Sequence, residues 1–171
     1  MSLLSRVLTL TVALALALAV SACTVRPLYS TGPTGFGSQA DLPAIAVDLP
    51  ETREEQVYRN ALLFALRGGG EGDAPRYGLT YRITIREQEI AVERGTGVPN
   101  AYRLTGSVSF LLKDSASEAS LFGASVSASD TYARSSQNFA NIRAQRDAED
   151  RLARTLAELT QARLAAYFAT N

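Results

Sequence analysis

Three stretches of two-residue alternation dominate the chain and set what it can fold into. In the first, Tyr77, Leu79, Tyr81, Ile83 and Ile85 alternate with Gly78, Thr80, Arg82, Thr84 and Arg86. In the second, Tyr102, Leu104, Val108, Phe110 and Leu112 alternate with Arg103, Thr105, Ser107, Ser109 and Lys113. In the third, Phe122, Ala124, Val126, Ala128 and Tyr132 alternate with Ser125, Ser127, Ser129 and Thr131. Successive side chains of a strand point to opposite faces, so each stretch reads as a strand with one apolar and one polar face. Turn-rich residues 94–100 and 114–120 separate the strands, which predicts an antiparallel meander. After Glu87-Gln88-Glu89 the phase slips and Ile90 and Val92 become the apolar positions, as a bulge would produce.

The apolar faces need a cover, and the chain supplies two helices. Thr52 and Glu55 have the spacing of a capping box, which predicts a helix to about Arg67. Its apolar face comprises Val57, Tyr58, Ala61, Leu62, Phe64 and Ala65. The glycine run at residues 68–72 follows this helix and lacks the Gly-Lys-Ser/Thr ending of a phosphate loop, so it reads as a helix stop. A second helix spans about Ile142 to Tyr167, with Ala148, Leu152, Leu156, Leu159, Leu164, Tyr167 and Phe168 as its apolar arc. Asp147 with Arg151, and Asp150 with Arg154, have the spacing of supporting ion pairs on its exposed side, while Arg163 falls inside the apolar arc. Ile45, Val47 and Leu49 mark a short strand ahead of the first helix. The order β-α-β-β-β-α predicts an α+β two-layer sandwich over residues 43–171, with two helices packed on one face of a four-stranded sheet.

The opposite sheet face would carry Thr80, Arg82, Thr84, Arg86, Arg103, Thr105, Ser107, Ser109, Ser125, Ser127 and Ser129. Antiparallel sheets commonly leave one face to water. A small, hydroxyl-rich face also fits inside a polar enclosure, such as the lumen of an outer-membrane barrel.

Ahead of the domain, residues 7–20 form a short, mainly apolar run behind Arg6, and Val20-Ser21-Ala22-Cys23 closes it. A bilayer span needs about 20 apolar residues, so the run suits the h-region of a secretory signal. An aliphatic residue, two small residues and a cysteine resemble a bacterial lipobox, which implies cleavage after Ala22 and lipidation of Cys23. Residues 1–22 are then the signal peptide, and residues 23–42, rich in Gly, Pro, Ser and Thr, a lipidated tether. Two or more acyl chains would hold the protein on a membrane.

Removing residues 1–22 leaves 149 of the 171 residues, enough for one domain with a real core. They carry 16 Lys and Arg, all but Lys113 being Arg, against 17 Asp and Glu, which argues against broad nucleic-acid binding. The chain has no histidine, and lipidation consumes its single cysteine. Cys/His and Ser/His/Asp nucleophile systems and nearly all zinc sites are thereby removed, and no cofactor is indicated. Glu87, Glu89 and Glu93 offer paired carboxylates to an envelope hydrolase. Against that reading stands a charged strand edge of the kind that blocks aggregation.

The start Cys23-Thr24-Val25-Arg26-Pro27-Leu28-Tyr29, the element order, and the closing stretches at residues 146–153 and 163–168 together resemble the LPS-assembly lipoprotein family LptE. The resemblance implies a non-enzymatic protein that plugs and helps assemble the barrel LptD, the outer-membrane lipopolysaccharide translocon, and assists lipopolysaccharide delivery to the cell surface. It also implies contact with lipopolysaccharide through basic residues between the second and third strands and near the start of the last helix. By position these are Arg94 and Arg143, with Arg146 an equally placed neighbour of the latter. Thr24 stands where an inner-membrane retention signal would place Asp, which by family analogy favours the outer membrane. An auxiliary lipoprotein of an envelope ABC transporter would share the layout, and its partner would distinguish it.

Cys23→Ala is expected to abolish acylation and membrane retention, and globomycin to accumulate the uncut precursor, read by fractionation and mass spectrometry. Mature, soluble, unlipidated protein in untreated cells would contradict the assignment.

Overall fold

The computed structural model describes residues 41–92 and 99–170. Cys23, Glu93 and Arg94 lie outside the described residues. The elements are β1 (Ile45–Val47), α1 (Arg53–Arg67), β2 (Tyr77–Val92), β3 (Pro99–Asp114), β4 (Ser120–Ala133) and α2 (Asn138–Thr170), with a 3-10 turn at Leu42–Ala44. The expected α+β order is therefore observed. The sheet runs β1-β2-β3-β4 and is mixed: β1 pairs parallel to β2, whereas β2, β3 and β4 form the antiparallel meander.

α1 starts where its capping box places it. Thr52 Oγ1 accepts from the Glu55 N–H at 3.2 Å, and Glu55 Oε2 accepts from the Thr52 and Glu51 N–H groups at 3.4 and 2.8 Å. It ends at Gly68, whose φ of +59° suits a residue without Cβ, and the Gly69 N–H returns to the Phe64 carbonyl at 3.2 Å.

Tyr58, Leu62 and Leu66 of α1 and Ala148, Leu152, Leu156 and Leu164 of α2 are buried against Leu79, Leu104, Val108, Leu112 and Val126 of the sheet. At Gly106 an added Cβ would stand 2.8 Å from Leu156 Cδ1 and 3.1 Å from Leu152 Cδ2, so the missing side chain lets α2 lie close on β3. Tyr58 donates to Thr160 Oγ1 at 3.1 Å, and Thr160 donates onward to the Leu156 carbonyl at 2.9 Å. Both hydroxyls are thus satisfied in a buried contact between the helices, where burial pushes the Tyr58 pKa well above the ordinary tyrosine value.

Several local expectations need correction. Leu49 is 80% exposed, because the chain has already left the sheet on its way to Pro50 and α1. Phe64 is 70% exposed, and Leu66 takes the core position. The Phe64 ring instead lies over the terminal glycines, 3.1 Å from where a Cβ on Gly69 would sit. The bulge expected after Glu87-Gln88-Glu89 is present, with register shifts between Glu89 and Ala91 and between Ala91 and Val92, but it leaves Ile90 and Val92 exposed rather than in the core. Pro99 and Asn100, expected in the turn, already belong to β3. α2 begins at Asn138 rather than near Ile142, supported by Asn141, which accepts from the Ser135 N–H and donates to the Ser135 carbonyl, both at 2.8 Å. Leu159 and Arg163 face solvent, while Thr160 and Gln161 are buried, because the helix turns that side toward α1. The acids and bases of α2 reach across elements rather than along the helix: Arg53 meets Asp150, and Arg151 meets Asp130, each at 2.8 Å.

Thr160→Val is expected to lower stability by roughly 1–3 kcal/mol, because it leaves the buried Tyr58 hydroxyl without a partner. Adding Tyr58→Phe should recover part of the loss. Additive losses in thermal or urea melts would show that the hydrogen bond is not what couples the two sites.

Candidate functional site

The outward sheet face is built by register. Beyond the row Thr80–Leu111–Gly123, where Leu111 lies over Gly123, its rows across β2, β3 and β4 are Arg82–Ser109–Ser125, Thr84–Ser107–Ser127, Arg86–Thr105–Ser129 and Gln88–Arg103–Thr131, and these four are the polar centre of the face. All side chains of these four rows are exposed. None is acidic, and Arg82, Arg86 and Arg103 take part in no salt bridge among the described residues. Arg82 and Arg86 stand about 13 Å apart along one strand, and Arg103 lies diagonally beside Arg86 at about 7–8 Å. The acids of the same strands alternate to the other side. There Glu87 accepts from the Tyr132 hydroxyl and Asp130 binds Arg151, each at 2.8 Å.

A second surface forms where the meander's end meets the start of α2. Ala101 pairs with Ala133, and the Arg134 N–H donates to the Asn100 carbonyl at 2.9 Å. The Arg134 guanidinium lies 4.3 Å from the centre of the Tyr102 ring, donates to the Tyr132 hydroxyl at 3.1 Å and approaches Glu87 at 3.8 Å. Burial, reinforced by the Glu87 carboxylate, pushes the Tyr132 pKa up to about 12, so its hydroxyl stays a neutral donor. Beyond this clamp, Phe139, Ile142, Arg143 and Arg146 recur at i, i+3, i+4 and i+7 of α2, on the side away from buried Ala148 and Leu152. All four are exposed, Phe139 at 87%. Arg143 therefore sits in an outward stripe with Arg146 and two apolar neighbours. The stripe's spacing is legible in the residues, but placing the helix start near Ile142 hides Phe139.

The inner side has a cleft of about 340 Å³ between the start of α1, β2 and α2, with Glu54, Glu55, Glu87 and Glu149 around Ile83, Ile85 and Leu104. Three of these carboxylates have structural work. Glu55 caps α1, Glu87 binds Tyr132, and Glu149 accepts from Gln145 at 3.2 Å. Burial raises the Glu149 pKa from the ordinary glutamate value. Among the described residues no three carboxylates come together as a metal site. Glu87 is committed to Tyr132 and Arg134, and its neighbour Glu89 is exposed on the strand.

A family model described as LptE, lipopolysaccharide-assembly, matches residues 42–164, from the 3-10 turn to near the end of α2. Among solved structures, a proposed lipoprotein of Caulobacter crescentus CB15 is 28% identical with a TM-score of 0.64, over 78% of this chain and 97% of that one. A minor lipoprotein of Acinetobacter baumannii (16% identical, TM-score 0.57, over 71% and 90% of the two chains) shares the fold. So does rare lipoprotein B of Shewanella oneidensis (14% identical, TM-score 0.53, over 72% and 92%). No curated protein matches the chain.

Proposed function

The chain belongs to the LptE family of lipopolysaccharide-assembly proteins, and we propose that it is a non-enzymatic, lipid-anchored outer-membrane subunit that seats in the translocon barrel LptD. There it supports barrel assembly and helps pass lipopolysaccharide to the cell surface. Residues 1–22 act as the signal peptide, Cys23 carries the lipid, and residues 23–42 tether the domain over residues 43–171, which faces the periplasm or lies inside the lumen.

One observation carries this reading: the fold uses only one face of its sheet. Both helices and the core lie on that face, and the other is left largely polar, with half-buried Leu111 beyond the four rows and no acid within them. Barrel interiors are polar, so a plug must be polar where it meets them. Lipopolysaccharide contact is a separate task and belongs to Arg94 and to the α2 stripe around Arg143. Guanidinium groups pair with phosphates, and Phe139 and Ile142 supply apolar area beside them.

The test is Arg94→Asp with Arg143→Asp in the full-length lipoprotein. Lipopolysaccharide binding is expected to fall about tenfold or more, as loss of even one charge-assisted bond would give, and to become less salt-sensitive. Co-purification of the barrel should persist. Unchanged lipopolysaccharide binding would remove the arginines from the lipid site. Recovery of an inner-membrane transporter in place of a barrel would support the ABC-transporter reading instead.

A further inference from the structure

We propose that the outward sheet face is the surface the barrel wall covers, and that the wall opposite Arg82, Arg86 and Arg103 presents carboxylates. The inference rests on the functional reading above and adds to it which face docks and what chemistry receives it.

The charge pattern carries the argument. In the four rows every charge is an arginine; of the acids on the same strands, Glu87 and Asp130 are turned inward and occupied, and Glu89 and Asp114 lie outside the rows. A face that met only water would have no need to sort its charges so completely, since mixed signs serve solubility better. Arginine also forms planar two-point contacts with carboxylates, so the three guanidinium groups can fix register as well as attract. The remaining positions are largely serine and threonine. Their short side chains lose little conformational freedom on burial and can donate or accept, which suits a polar wall.

The sheet edge points the same way. β4 is the terminal strand, 14 residues long, with no lysine, arginine or proline and no charge but Asp130, which Arg151 holds. Exposed edges of that length are normally guarded against pairing with other chains. An enclosing partner would provide the missing protection. An anionic lipid surface is the poorer fit, because the four rows offer no large apolar side chain and Leu111 beyond them is half-buried over Gly123, in contrast to the exposed Phe139 and Ile142 of the α2 stripe.

The experiment places Arg82→Glu, Arg86→Glu and Arg103→Glu together in the full-length lipoprotein in its native envelope. All three residues are exposed, so thermal melts of the purified variant should match wild type. Wild-type co-purification with the barrel should weaken with salt, and the triple variant should lose it by about tenfold or more, while a triple Arg→Lys variant keeps an intermediate level. Lipopolysaccharide binding by the triple Glu variant should remain near wild type. Wild-type barrel recovery by that variant would overturn the face assignment and leave the functional reading standing. Retained barrel with lost lipopolysaccharide binding would make the face a lipid contact and overturn it as well. Absence of any barrel with the wild-type protein would overturn the functional reading and this inference with it.

Discussion

One helix lying along one face of the meander is the contact on which the rest of the structure depends. A helix rises about 1.5 Å per residue and a strand about 3.3 Å, so the 33 residues of α2 and the 16 of β2 or β3 both span about 50 Å. α2 can therefore run the length of the sheet without a break. Gly106 brings it close, and Leu152 and Leu156 settle where a side chain on β3 would have stood. α1 completes the layer through the Tyr58–Thr160 hydrogen bond and the Arg53–Asp150 pair. With all cover on one side, the other face has no intramolecular use.

That asymmetry separates two kinds of surface. The outward face is broad and built of short hydroxyl side chains with three arginines. The α2 stripe is narrow and mixes apolar and cationic groups. The Arg134 clamp packs on Tyr102 and Tyr132, reaches Glu87, and donates to Gln145 of α2 at 3.5 Å, so it joins the start of the helix to the sheet. The stripe is thus held on the packed elements of the fold, as a binding site requires.

Much of this layout is legible in the residues. Period-two patterning gives the meander and both its faces, and Thr52 with Glu55 gives the start of α1. What escapes is set by contacts distant in sequence. Periodicity ranks Phe64 with the core, but the ring covers the helix-ending glycines while Leu66 turns inward. Local spacing pairs Asp147 with Arg151, whereas Arg151 crosses to Asp130 on β4. Thr160 looks like a surface residue until Tyr58 is brought to it from 102 positions away. The α2 stripe escapes because Phe139 has no core-facing role, so the apolar arc alone starts the helix too late.

The central claim is that the fold spends one sheet face on its core and keeps the other for its partner. It is tested most directly by cysteine protection at Ser107→Cys, in the middle of the outward face. The rate of reaction with a water-soluble maleimide is compared between the purified lipoprotein and the native envelope. Rapid labelling of the free protein and strong protection in the envelope are expected. Equal labelling rates in the two settings would contradict the claim.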